Sequence, residues 1–276
     1  MARCETFTVP SVTTMFGPHQ LRPRAVLTLL AEGFARWMGA HIAPFSALVA
    51  EHHTAVVVQG VHLDFDRPDL GFTDADWLSA RTRIHVGEDG QRLAVLLDVL
   101  AAERRIAHGR LDLRVVLLAE DDSLGAAPGS LPEVLMGRFE AAEIQPMRTR
   151  ALAQDHAAPN GGELLRQQWD TVLCRSACEV ADQWSFIEMV ELATQARERL
   201  FATAEDPDRA ARHVVSVPVR SVRAGFRRPL YVFDTCRILT SVHAGGDGGV
   251  IVTHAVGSPD NNRPHLRVRE ILDPLS

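Results

Sequence analysis

The sequence predicts an α+β protein built from two tandem copies of one unit of roughly 110 residues, each an antiparallel sheet wrapped around one long helix. Three observations support this. The order strand, long helix, run of strands occurs twice along the 276 residues. A Phe-x-Arg-Pro tetrapeptide closes the strand after each helix, at Phe65–Pro68 and at Phe226–Pro229, 161 positions apart. Aligning the two helices sets His19 against Asp182 and Glu32 against Gln195, both 163 apart and so within two residues of the tetrapeptide offset.

Residues 5–15 (ETFTVPSVTTM) are β-branched and read as a strand. FGPHQLRP follows as a turn ending in Pro23, a residue suited to the first turn of a helix. Val26, Leu29, Leu30, Phe34, Trp37 and Met38 then recur at helical spacing, and Gly39 is the predicted stop. Strands are expected at 54–66, 77–86, 92–102 and 106–119, with Glu88-Asp89-Gly90 turning a hairpin. A helix among antiparallel strands buries its apolar stripe against their sheet.

The expected organisation is a first unit at 1–124, a linker at 125–164 and a second unit at 165–276. DDSLGAAPGS and QDHAAPNGG give the linker its Pro, Gly and Ala character, with a short helix expected at 131–142 between them. The second unit repeats the order. A strand is expected at 169–180, Asp182 as N-cap, and a helix from about 183 to 203. Strands follow at 213–224, 229–242, 249–257 and 263–272, and the Gly-rich 243–249 turns one hairpin.

Composition narrows the chemistry. A net charge of −6 and a pI near 6.0 exclude the basic surface that a nucleic-acid binder needs. All 29 basic residues are Arg, so a Schiff-base lysine, a P-loop lysine and a Ser-Lys dyad are impossible. The Arg- and Ala-rich, Lys-free composition fits a GC-rich bacterial genome. The four cysteines are too few for a disulfide framework, and alternation places Cys174 and Cys178 on one face of a strand as buried free thiols. No apolar run reaches the ~18–20 residues needed to span a bilayer, and the N-terminus lacks a signal-peptide layout. Cytoplasmic localisation is expected. The histidines show no metal spacing, and no Gly-x-Ser-x-Gly or Gly-x-Gly-x-x-Gly motif occurs.

Several residues bear a family resemblance. Pro18-His19 precedes the first helix, Leu29-Leu30-x-Glu32 lies within it, Phe-x-Arg-Pro follows each helix, and Ile106-Ala107-His108-Gly109 sits in a late strand. With the duplicated element order, these resemble the tandem (double) hotdog superfamily of acyl-thioester enzymes. That superfamily includes acyl-ACP thioesterases, polyketide dehydratases and decarboxylase/acyltransferases. The resemblance implies an acyl-CoA or acyl carrier protein thioester as substrate, no cofactor and no metal. It also implies no nucleic-acid or membrane partner, and it leaves a homodimer open. A His before the central helix and an acidic residue from the partner helix flank the thioester in such enzymes, positions held here by His19 and Asp182.

His19 stands before a helix N-terminus, where backbone N–H groups stabilise a developing oxyanion and an imidazole exchanges protons near neutrality. The alternative is a turn histidine. Asp182 offers a second acid or, alternatively, only a cap. Glu32 in mid-helix is a candidate acid or base if desolvated and a solvated-edge residue if not. Gln195, its counterpart, orients water or a carbonyl. Arg67 and Arg228 either contact a pantetheine or nucleotide phosphate or snorkel over the neighbouring Phe. Thioesterase-type hydrolysis is the first expectation, because the dehydratase motif is incomplete. Dehydration or decarboxylation and acyl transfer are alternatives, and a non-catalytic acyl-ligand or partner-binding protein is the rival from another class.

Overall fold

A computed structural model of the chain describes residues 2–119, 122–147, 162–179, 182–202, 217–245, 248–260 and 263–273. The first half contains β1 (Glu5–Pro10), α1 (Pro23–His41), α2 (Phe45–His52), β2 (Thr54–Phe65), β3 (Trp77–Gly87), β4 (Arg92–Ala101), β5 (Arg104–Ala119) and β6 (Asp122–Pro128). A single helical turn, α3 (Glu133–Met136), and the two-residue β7 (Ile144–Gln145) follow. The second half contains β8 (Glu163–Val172), α4 (Phe186–Ala202), β9 (Val219–Phe226), β10 (Thr235–Ala244), β11 (Val250–Gly257) and β12 (Leu266–Leu272).

The strands form one sheet in the order β1-β3-β4-β5-β2-β9-β12-β11-β10-β8, with β6 on β5 and β7 on β3. From the centre outward each half reads second, fifth, fourth, third, first strand. The seam between β2 and β9 is antiparallel and pairs Gly60 with Gly225, Val61 with Ala224, His62 with Arg223, Leu63 with Val222 and Asp64 with Ser221. His62 and Arg223 are 161 apart, the offset of the Phe-x-Arg-Pro repeat, and the other pairs are symmetric about them. The duplication read from sequence is therefore also a pseudo-twofold axis through the seam.

Alternation decides what each strand buries. Val61 and Leu63 of β2 and Leu111 of β5 face the core, while His62, Asp64 and Asp112 lie on the outer face. There Arg223 grips Asp64 through both carboxylate oxygens at 2.6 and 2.8 Å and donates to the Leu63 carbonyl at 2.7 Å. His62 Nε2 lies 3.5 Å from Asp112, which also accepts from Arg110.

On the inner face α1 buries Val26, Leu27, Leu30, Trp37 and Met38 almost completely. The helix lies close to the sheet because Gly33 has no side chain: a Cβ there would sit 2.1 Å from Thr82 Oγ1. α4 buries Val190, Ala193 and Ala196 in the same way. The two helices are joined across the halves by Arg24, whose Nη1 donates to Glu188 at 2.9 Å.

Several expectations need correction. α1 runs past Gly39 to His41, since one glycine lowers helix stability without ending a helix held by tertiary packing. α2 follows Pro44 and was not anticipated. Much of the expected linker packs on the first half. Residues 122–128 form β6, and Leu131, Leu135 and Phe139 are buried. Buried Glu143 receives Arg3 at 2.9 and 2.6 Å. Burial works against its charge, but Arg3 and two backbone N–H groups hold the carboxyl down at about 2. The short helix is only Glu133–Met136, and 148–161 lie outside the described residues.

The strand expected at 169–180 ends at Val172 and gives way to a 3-10 turn at Arg175–Ala177. Cys174 and Cys178 flank that turn instead of sharing a strand face. Cys174 is exposed and Cys178 half-buried, so neither has the expected burial; Cys4 is exposed and Cys236 buried. Burial pushes the Cys236 thiol up to about 12.

Candidate functional site

Each half enters its central helix by the same device. In the first, a 3-10 turn at Thr13–Met15 is followed by an isolated bridge between Phe16 and Leu21. In the second, the turn at Arg175–Ala177 is followed by a bridge between Cys178 and Trp184. His19 and Asp182 lie in the two loops that these bridges close.

The loops differ in detail. His19 is exposed and makes no side-chain hydrogen bond or ion pair among the described residues. Its neighbour Gln20 is buried and tied to the second half: Nε2 donates to the Val219 carbonyl at 3.3 Å, and Oε1 accepts the Val219 N–H. Asp182 sits at φ 53, with its carboxylate taken by Arg175 Nη1 at 2.9 Å. It does not cap α4. The helix begins four residues later, and Ser185 Oγ accepts the Ile187 N–H at 3.3 Å. Among the described residues no hydrogen bond or ion pair joins His19 to Asp182.

The other candidates are dispersed. Glu32 pairs with Arg36 one turn on, at 2.7 Å, and Gln195 is exposed on α4. Arg67 pairs with Asp69 at 3.0 Å, and Arg228 donates to the Arg263 carbonyl at 3.3 Å. A depression of about 490 Å³ lined by His41, Glu51, His52 and Arg138 lies at the other end of α1 from His19, about 27 Å along the helix axis. Among the described residues no cluster of side chains could hold a metal ion.

Two polar groupings were not anticipated. The first lies where α4 faces the start of α1. Glu191 is half-buried beside Glu188, with Arg22 and Arg24 opposite. Burial pushes its carboxyl up, and the like charges of Glu188 and Glu198 add to this. The two arginines pull the other way without cancelling it. Sequence gave no signal for Glu191, since a glutamate on a helix surface is distinctive only once the facing helix is known.

The second grouping lies beneath α4. Thr240 Oγ1 lies 2.9 Å from His254 Nδ1, and His254 Nε2 lies 3.4 Å from Glu270 Oε2. Thr194 donates to Glu270 Oε1 at 3.2 Å, and Arg197 Nε lies 3.6 Å from Oε2. All but Thr194 are buried, Glu270 completely. Burial alone would push the Glu270 carboxyl up, yet Arg197, His254 and Thr194 together hold it well below the carboxylate range. This grouping did have a signal. Period-2 alternation puts His254 in line with Val252 and Val256, and Glu270 in line with Val268 and Leu272, on faces that are otherwise apolar.

The mirrored strand orders, the twofold seam and the two buried helices define a double hotdog fold. Solved structures share it. One from Lactobacillus plantarum, assigned as an oleoyl thioesterase, has a TM-score of 0.74 at 10% identity, covering 100% of this chain and 98% of that one. The 12:0-ACP thioesterase from Umbellularia californica gives 0.69 at 14% identity, covering 99% and 94%. An acyl-ACP thioesterase from Bacteroides thetaiotaomicron gives 0.64 at 9% identity, covering 98% of both chains. No protein-family profile matches the chain, and no curated protein matches its sequence. Among the described residues, no helix is long and apolar enough to cross a membrane.

Proposed function

We propose that this chain hydrolyses an acyl thioester, carried by an acyl carrier protein or coenzyme A in the cytoplasm, where the start of α1 meets α4. The supporting observation is Glu191, a half-buried carboxyl shifted upward, one turn along α4 from Glu188, whose ion pair with Arg24 joins α4 to α1. A carboxylate of raised basicity removes a proton from water as that water attacks the thioester carbonyl. The tetrahedral oxyanion then falls to the charges of Arg22 and Arg24 and to the Arg24 N–H, since Pro23 has none and the Ala25 and Val26 N–H groups donate to the Arg22 carbonyl. Collapse breaks the C–S bond, and the leaving thiolate takes up the proton.

In this reading His19, exposed on the loop before α1, relays that proton, and Asp182 occupies the matching loop of the second half. Arg67 and Arg228 contact the phosphate of the carrier. Glu32, committed to Arg36, and the exposed Gln195 take no part. The thioesterases with the same fold are consistent with this chemistry, and a carboxyl shifted by burial is a feature of active sites.

The assay is thiol release from acyl-CoA and acyl-pantetheine thioesters. Glu191→Gln should lower kcat by about 10²–10⁴-fold with an unchanged melting temperature, the usual weight of a general base. His19→Ala should fall in the same direction. Because burial raises the Glu191 carboxyl, the acidic limb of kcat/KM should lie above the ordinary glutamate range. Near-normal turnover in Glu191→Gln would remove this residue from the mechanism.

A further inference from the structure

The grouping beneath α4 has no part in that mechanism, and the fold does not require it. The seam and ladder registers identify its counterparts in the first half. Glu270 lies opposite Val222 as Leu111 lies opposite Val61, and His254 lies opposite Val268 as Leu97 lies opposite Gly109. Arg197 corresponds to Phe34 at the helix offset of 163. One half thus carries Leu97, Leu111 and Phe34 at these positions, and the other His254, Glu270 and Arg197.

The Arg197 side chain is only 9% exposed, yet its Nη1 is buried without a hydrogen-bond partner, and its Nε meets Glu270 only as an ion pair at 3.6 Å. A guanidinium carries five N–H donors and can shed none of them by deprotonation. Buried donors left empty are rare and indicate an acceptor that belongs there. We infer that Arg197 is the binding point for a neutral oxygen function, a ketone or hydroxyl, in the body of the acyl chain. This rests on the acyl-thioester reading above and names the substrate class within it.

Two features set the chemistry of that acceptor. Glu270 lies 3.6 Å from the same guanidinium, so a second carboxylate would be repelled. A carbonyl oxygen accepts from Arg197, and a hydroxyl can in addition donate to Glu270. Position also fits. Glu191, Thr194 and Arg197 follow one another at three-residue steps, a polar lane along α4 from the arginines of α1 into the second half. Glu191 and Arg197 are about 9 Å apart along the helix axis. An oxygen at Arg197 therefore belongs to the middle of the chain when the thioester is at Glu191. A plain alkyl chain would leave the donors empty and forfeit affinity.

The test uses the full chain and two non-hydrolysable acyl-pantetheine thioethers of equal length, one saturated and one with a mid-chain ketone. Calorimetry should show the ketone bound at least about tenfold tighter, the order expected of one satisfied polar contact. A variant carrying Arg197→Phe, His254→Leu and Glu270→Leu, the residues of the first half, should remain folded by thermal melting and lose the preference. Equal affinity in the wild type, a preference that survives in the variant, or no binding of either ligand overturns the subsite. A crystal structure with bound ketone and an undisplaced water on Arg197 overturns it as well. The hydrolase reading is judged apart. Tight ketone binding without turnover of the matching thioester defeats hydrolysis alone, whereas equal turnover and equal affinity for both chains defeats the subsite alone.

Discussion

The two halves have the same strand order, the same pre-helix turn and a buried threonine at the same place, Thr82 in one and Thr240 in the other. Beneath the helices they part. In the first half, leucines and a phenylalanine surround Thr82, whose hydroxyl has no partner and touches the bare backbone of Gly33. In the second, Thr240 begins a line of polar contacts ending at Arg197, and Ala196 stands where Gly33 would be. One scaffold accepts either filling. The apolar version gains stability from transfer out of water, whereas the charged version gains little because desolvation offsets attraction.

The largest effect should come from removing one charge. Glu270→Ala leaves Arg197 and His254 without their carboxylate, and chemical denaturation should show a loss of about 3–5 kcal/mol. The same experiment on an outer-face pair such as Arg83 and Asp98 should give under about 1 kcal/mol. A smaller loss is expected from Gly33→Ala, about 1–3 kcal/mol, because the new methyl group meets Thr82. At the equivalent position the reverse change, Ala196→Gly, should cost only about 1 kcal/mol of helix propensity. Least of all should be the change from exchanging the whole cluster. With Arg197→Phe, His254→Leu and Glu270→Leu together, stability should stay within about 1 kcal/mol of wild type or rise. A large loss there would mean that the second half needs its charges to fold.

The parts of this fold that were legible are those written in periodicity. The α1 stripe and the alternation of β2 to β5 were readable because one face of each is buried and composition follows burial. The offset of Phe-x-Arg-Pro was readable because both copies end a seam strand. The segment 173–185 was not, since its mixed residues fit a strand as well as a turn, and only the bridge from Cys178 to Trp184 decides between them. For the same reason Asp182 resembled a cap while Ser185 does the capping. DDSLGAAPGS carries loop composition and still pairs as β6, because the long β5 offers it an open edge. At the site, His19 was visible from its place before a proline-led helix. Glu191 depended on a neighbour 167 or 169 positions away, Arg24 or Arg22, which no local pattern encodes.

Charge is distributed unequally across the seam. At a twofold axis, identical units would set the central residue against its own copy and every other residue against the copy of its symmetry mate. Here the first half supplies both carboxylates near the axis, Asp64 and Asp112, while Gly225 and Ile271 hold those positions in the second. The second half supplies Arg223 and Arg269. Two first halves docked on each other would bring four carboxylates against only the two guanidinium groups of Arg110, and two second halves would bring the guanidinium groups of Arg223 and Arg269 together with no carboxylate at these positions. Pairing one half with the other thus balances charge across the seam better than pairing either half with its own copy would.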